Sequence, residues 1–245
     1  MKKFTGFLKS KTSDDPRVSS PGVPKYHTYY QPLHRIHKAV ALGYADLVSV
    51  YLSCKESYKS KRDHKNRTPL HFACVYGHPE VVKLLVEKKS NVNAVDCNHV
   101  TPLIKAVQCR QETCVTILLQ NGAETNIVDN AGNTALHYSV YNADIATASI
   151  LLQYHADINL ENEKQLPPLL LALQQKHEEM AIFLIENNAN IFTCDRVHRT
   201  SLIYAIRSEL GKAVQILLER GMAVKTKDAY NLTAIEYAAK NQNHM

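Results

Sequence analysis

The sequence has no run approaching the about 20 apolar residues that a membrane-spanning helix needs. Its N-terminus carries charge but no apolar h-region, so a secretory signal is not expected. The eight glycines are scattered and none stands in G-x-x-x-x-G-K, which removes a phosphate-cradling loop. Neither a G-x-S-x-G elbow nor an H-E-x-x-H pair is present. No two of the six cysteines form C-x-x-C, and Cys109 and Cys114 are spaced for different faces of a helix, so a shared metal is not expected. Cys54, Cys74, Cys97, Cys109, Cys114 and Cys194 read as free thiols in a reducing compartment. No heptad run is found. These absences lead to the expectation of an intracellular protein, cytoplasmic or nuclear, with no catalytic residues, cofactor or metal.

What is present is a period. Leu70, Leu103, Leu136, Leu169, Leu202 and Ile235 stand 33 residues apart, each inside the same short phrase. The phrases begin Thr68-Pro69-Leu70-His71, Thr101-Pro102-Leu103-Ile104, Thr134-Ala135-Leu136-His137, Pro167-Pro168-Leu169-Leu170, Thr200-Ser201-Leu202-Ile203 and Thr233-Ala234-Ile235-Glu236. A weaker copy, Arg35-Ile36-His37-Lys38-Ala39, precedes them. Five residues ahead of each phrase stands Asp63, Asp96, Asp129, Asn162, Asp195 or Asp228, and three after each Leu or Ile comes a small residue, Ala73, Ala106, Ser139, Ala172, Ala205 or Ala238. Apolar pairs such as Leu84-Leu85 and Ile117-Leu118 close a second helix in each unit.

Each column has a mechanical reason. Thr can cap a helix through its hydroxyl, and Pro is tolerated just after it because that N–H is unpaired anyway. Leu and the small residue share one helical face, the first filling the core and the second admitting a neighbouring helix. His37, His71 and His137 are placed to hydrogen-bond across to the next loop, a structural role. The Asp column can accept backbone N–H groups at a tight turn. Positive φ is expected two residues before each Thr, at Asn66, His99, Gly132, His198 and Asn231. Between the two helices Gly43 and Gly77 supply it, whereas Arg110, Ala143, Lys176 and Glu209 take that place later, so those turns must bear strain or change shape.

An unbroken period of this length with a T-P-L-H-x-A opening resembles the ankyrin repeat. The resemblance implies an all-α solenoid of helix-turn-helix units with β-hairpin loops over residues 32–245. Its units fall at 32–62, 63–95, 96–128, 129–161, 162–194 and 195–227, with a half repeat at 228–245 that either caps the array or leads into further chain. It also implies a protein partner bound by the hairpin tips and the ends of the first helices. Carried over column by column, that surface comprises His64, Lys65, Arg67, Tyr76, Asn98, Asn133, Tyr141, Lys164, Arg196, Arg199, Arg207 and Tyr230. Tyr76 and Tyr141, with Arg67, have the composition of interface hot spots. The groove reads as basic at repeats two and six and neutral between, which suits a partner with an acidic or amide-rich stretch.

Residues 1–31 lack the period and read as a basic, disordered arm with Pro16, Pro21 and Pro24. Residues 1–34 hold six basic and two acidic residues, so four of the six net positive charges lie there and the repeats carry only two. A basic solenoid face for nucleic acid is not indicated. Phe4, Phe7 and Leu8 stand at helical spacing among lysines, and peripheral membrane contact through residues 1–11 is the alternative reading of function. A monomer is expected.

More particular phrases, among them the Met1-Lys2-Lys3-Phe4 opening, Tyr76-Gly77-His78-Pro79-Glu80, Ile104-Lys105-Ala106-Val107-Gln108-Cys109 and Gly132-Asn133-Thr134-Ala135-Leu136-His137-Tyr138, resemble the mammalian POTE and ankyrin-repeat-domain 7 and 26 group. That resemblance implies a non-enzymatic intracellular protein prominent in testis.

Overall fold

A computed structural model describes Tyr30 and residues 34–242. The helices run in antiparallel pairs: α1 (Arg35–Ala41) with α2 (Ala45–Cys54), α3 (Pro69–Tyr76) with α4 (Pro79–Glu87), and α5 (Pro102–Gln108) with α6 (Glu112–Gln120). They continue as α7 (Ala135–Tyr141) with α8 (Ile145–Gln153), α9 (Pro168–Gln174) with α10 (Glu178–Glu186), and α11 (Ser201–Arg207) with α12 (Gly211–Glu219), and end at α13 (Ala234–Gln242). First helices pack on first helices throughout, and second on second from α2 through α8 and again between α10 and α12, the arrangement of an ankyrin solenoid. No strand is present among the described residues; the hairpins close through paired turn bonds such as Asp96 N–H to the Val100 carbonyl (3.0 Å) and His99 N–H to the Asp96 carbonyl (3.1 Å), with isolated bridges at Cys194–Thr200 and Lys227–Thr233.

The core follows the period. Leu70, Leu103, Leu136, Leu169 and Leu202 are buried, as are Ala73, Ala106, Ser139, Ala172 and Ala205 beside them. Leu85, Leu118, Leu151, Leu184 and Leu217 supply the second-helix side of the strip. Truncating any of these leucines to Ala removes about 2–5 kcal/mol. The last member of the column departs: Ile235 is 58% exposed, because no unit among the described residues follows it.

The caps are built as the residue types demand. The hydroxyls of Thr101, Thr134 and Thr200 accept the N–H three residues on. At Thr68 and Thr134 the histidine of the phrase answers, its Nδ1 accepting the Thr backbone N–H, while its Nε2 reaches the carbonyl of the following hairpin: Val100 for His71 (3.0 Å) and Leu166 for His137 (3.1 Å). His37 reaches Lys61 in the same way, but His34 occupies the Thr position of its phrase, and no side chain caps α1.

Each turn between paired helices is left-handed whatever residue occupies it. Gly43 and Gly77 sit at φ of 72° and 67°, and Arg110, Ala143, Lys176 and Glu209 at 56°, 51°, 60° and 61°. The glycine-poor turns therefore keep the shape and carry the strain. Gly132 answers a second demand: a Cβ there would lie 2.6 Å from the Glu163 backbone N, where one hairpin rests on the next.

Candidate functional site

The hairpins stack into a comb along one edge of the first helices. Cys97 N–H donates to the Lys65 carbonyl (2.9 Å), Asn130 N–H to Asn98, Glu163 N–H to Ala131 and Ala229 N–H to Val197. Each tip is shaped by its column acid. Asp63 Oδ1 accepts the N–H groups of Lys65 and Arg67, Asp129 those of Ala131 and Asn133, and Asp195 those of Val197 and Arg199, with Asn162 doing the same through its amide oxygen.

The second carboxylate oxygen is where the repeats differ. A tyrosine nine residues on donates to it in three units: Tyr138 to Asp129, Tyr204 to Asp195 (2.8 Å) and Tyr237 to Asp228 (2.6 Å). In two units an arginine four residues on folds back onto it, Arg67 onto Asp63 and Arg199 onto Asp195, each Nε at 2.7 Å. Burial alone would raise the Asp63 and Asp195 carboxyls, but the arginine and backbone donors hold both below the ordinary aspartate value. Burial, reinforced by Asp195, pushes the Tyr204 phenol up to about 12.

These contacts divide the residues expected at the surface. His64, Lys65, Asn98, Lys164, Arg196, Arg207 and Tyr230 are exposed, Tyr230 at 66%. Asn133 and Tyr141 are buried, and this corrects their place in the expected contact face; Arg67 is buried as well, beneath the Tyr30 ring. Arg67 is 5% exposed in its ion pair, Asn133 accepts from Asn162 at the hairpin interface (3.0 Å), and the Tyr141 ring packs beside Tyr138. Tyr76 is half-buried, its hydroxyl bound to the Tyr30 backbone, and Arg199 is half-buried on Asp195. At repeat six Arg207 lies 5.6 Å over the Tyr237 ring, and the Arg196 guanidinium donates to the Glu163 carbonyl across the junction.

Tyr30 was not foreseen as part of this surface. Placed by the sequence in the arm, it is 2% exposed, with its ring 3.9 Å from the Arg67 guanidinium carbon and edge-on to Phe72 at 5.1 Å. Lys105 approaches the same ring at 5.4 Å. Lys105 stands in the register of Tyr138 and Tyr204, and burial lowers its pKa while Gln108 accepts from its Nζ at 2.6 Å. A polar cavity of about 160 Å³ opens beside Tyr30, lined among others by Lys65, Asn98, Lys105, Gln108 and Tyr138. The amphipathic stretch at Phe4, Phe7 and Leu8, with the membrane contact expected of residues 1–11, lies outside the described residues.

All six cysteines are free thiols; Cys74 and Cys114 are buried, Cys54 and Cys97 exposed. Among the described residues no His, Cys, Asp or Glu cluster is arranged to hold a metal, and no helix is long and apolar enough to cross a membrane.

The family description "Ankyrin repeats (3 copies)" matches residues 36–129, 121–195 and 169–245. Over 64 residues the chain is 38% identical to human Ankyrin repeat domain-containing protein 7, a match covering 26% of this chain and 25% of that protein. Over 75 residues it is 35% identical to the Drosophila melanogaster Transient receptor potential cation channel subfamily A member 1, covering 29% of this chain and 6% of the channel. The matched stretch thus spans a quarter or less of each of these relatives. Among solved structures, the ankyrin repeat domain of Bcl-3, a member of the IkappaB protein family, superposes with a TM-score of 0.77 at 26% identity, covering 85% of this chain and 95% of that one. The human ASB11 ankyrin repeat domain superposes with a TM-score of 0.72 at 24% identity, covering 84% and 91%, a likeness of fold.

Proposed function

The chain belongs to the ankyrin-repeat family, and from that premise we propose that it is a non-catalytic intracellular adaptor that holds a protein partner against its hairpin tips and first helices. The observation that carries this reading is a set of large side chains the fold does not use. His64, Lys65, Asn98, Lys164, Arg207 and Tyr230 project from the tips and helix ends into solvent, while the side chains needed for the turns are buried behind them. Tyrosine and arginine are the residues most often found at interface hot spots.

The positive charge of this face is concentrated at two places. Lys65 lies at repeat two; Arg196 and Arg207 lie at repeat six, with Arg67 and Arg199 neutralised by their aspartates. A partner segment rich in Asp, Glu or amide side chains suits both. The short match to Ankyrin repeat domain-containing protein 7 supports a kinship with that protein alone; membership of the wider POTE and ankyrin-repeat-domain 7 and 26 group, a monomeric state and a role in testis are proposed on the phrases quoted above.

The test is an affinity capture from testis lysate with the full chain and with an Arg196→Glu/Arg207→Glu double variant, quantified by mass spectrometry after matching their circular dichroism. A groove partner falls by about fivefold or more in the variant. Equal recovery of every captured protein overturns the reading.

A further inference from the structure

Tyr30 belongs to no repeat, yet it is only 2% exposed and packs against the first helix of repeat two. We propose that the groove of repeats two and three carries a pocket for one aromatic side chain on an extended peptide segment, that Tyr30 fills this pocket in cis, and that a groove-bound partner competes for it with a tyrosine or phenylalanine of its own. This rests on reading the groove as the partner-binding face.

The pocket reads a ligand in two parts. Tyr76 Oη accepts from the Tyr30 N–H (3.2 Å) and donates to the Tyr30 carbonyl, so one side chain satisfies both main-chain groups of an inserted residue. Such contacts fix a backbone and demand nothing of its sequence. The ring is gripped by the Arg67 guanidinium on its face and by Phe72 against its edge, with the Lys105 ammonium beyond. Arg67 is already oriented by Asp63, whose other oxygen is held by backbone donors, so the grip is built before any ligand arrives.

The hydroxyl is not read. Tyr30 Oη is buried and makes no hydrogen bond to another protein group. The pocket therefore accepts phenylalanine as well as tyrosine. The adjoining cavity of about 160 Å³, lined by Lys65, Asn98 and Gln108, leaves space for a flanking side chain that Tyr30 does not fill.

A nine-residue fluorescent peptide copying residues 26–34 serves as the probe, with two further versions carrying Ala or Phe in place of Tyr30. Fluorescence anisotropy measures each against the full-length wild-type chain and the full-length Tyr30→Ala chain. Because a cis occupant reduces apparent affinity by the fraction of time it blocks the site, the parent peptide binds the Tyr30→Ala chain about tenfold or more tighter than wild type. The Phe peptide matches it within about threefold and the Ala peptide is lost. Equal affinity for the two chains, equal affinity of Ala and parent peptides, or no binding to a folded Tyr30→Ala chain overturns the proposal.

If Tyr30→Ala fails to fold, hydrogen exchange on the wild-type chain decides. Excess parent peptide must accelerate exchange at the protein's own Tyr30 amide and excess Ala peptide must not; an unchanged Tyr30 amide overturns the proposal. Charges at Arg196 and Arg207 play no part in these assays, so a failed partner capture and a failed pocket are separate outcomes.

Discussion

His137 joins two hairpin units with one ring: Nδ1 accepts the Thr134 N–H (3.2 Å), and Nε2 donates to the Leu166 carbonyl 3.1 Å away. Since the carbonyl can only accept, the ring is neutral with its proton on Nε2, and a second proton on Nδ1 would abolish the Thr134 bond. Burial lowers the pKa of His37, His71 and His137 to about 4 each.

A pH dependence follows from that lowering. The unfolded chain takes up protons below about 6.5, while the folded rings refuse them until about pH 4. The histidine contribution to stability is thus complete above pH 6.5 and declines toward pH 4, by about 1.4 kcal/mol per pH unit per ring at most. Asp63 and Asp195, held below the ordinary aspartate value, lose their contribution only as pH falls further. Thermal unfolding across this range is expected to be flat near neutrality and to fall steeply between pH 6 and 4, with a shallower fall for His137→Gln. A midpoint independent of pH down to about 5 would refute the assignment.

Repeat one lacks the threonine that completes this device. His34 stands in its place without capping α1, and His37 Nδ1 is buried with no partner. His34→Thr would supply an N-terminal cap and a hydroxyl for Nδ1 together. Urea denaturation should show a gain of about 1 kcal/mol. A loss would mean that the His34–His37 ring contact, centroids 5.4 Å apart, outweighs the missing cap.

Left-handed positions should respond in opposite ways to apparently reasonable changes. Ala143 (φ 51°) bears a Cβ in a turn that Gly43 and Gly77 occupy elsewhere, so Ala143→Gly is expected to gain about 0.5–1 kcal/mol. Gly132→Asn copies the residue found at Asn66 and Asn231 in the same column, yet its Cβ would strike the Glu163 backbone, and a loss of about 1–3 kcal/mol is expected. Denaturant midpoints of the two variants check both signs.

Tyr30→Phe removes a buried hydroxyl that bonds to no other protein group. Stability is expected to stay level or to rise by up to about 1 kcal/mol. A loss exceeding about 1 kcal/mol would show that the hydroxyl is satisfied in solution.

Much of the fold was legible because its columns repeat. The Leu, small-residue and Asp columns each took the role their chemistry suggested, and the cross-hairpin histidine bonds followed from register alone. Column logic failed where one side chain turns toward its own unit. Arg67 and Arg199 fall in a variable column of the family, but each stands four residues after a column aspartate and folds back onto it. That Asp-x-x-x-Arg spacing is in the sequence, as is the nine-residue Asp-to-Tyr spacing of Tyr138, Tyr204 and Tyr237, but each occurs in only some of the units and so forms no column. Tyr30 carried no such signal, since a residue outside the period has no register from which to place it.

The bond between Tyr30 and Tyr76 spans 46 residues and encircles all of repeat one. Among the described residues, repeat one packs on one neighbour only, and a unit held on one side opens most readily. Here that unit is belted, because it cannot peel away without drawing Tyr30 out of its seat. Whatever withdraws Tyr30 also unbuckles repeat one, so ligand capture and the looseness of this unit are a single equilibrium seen from two sides.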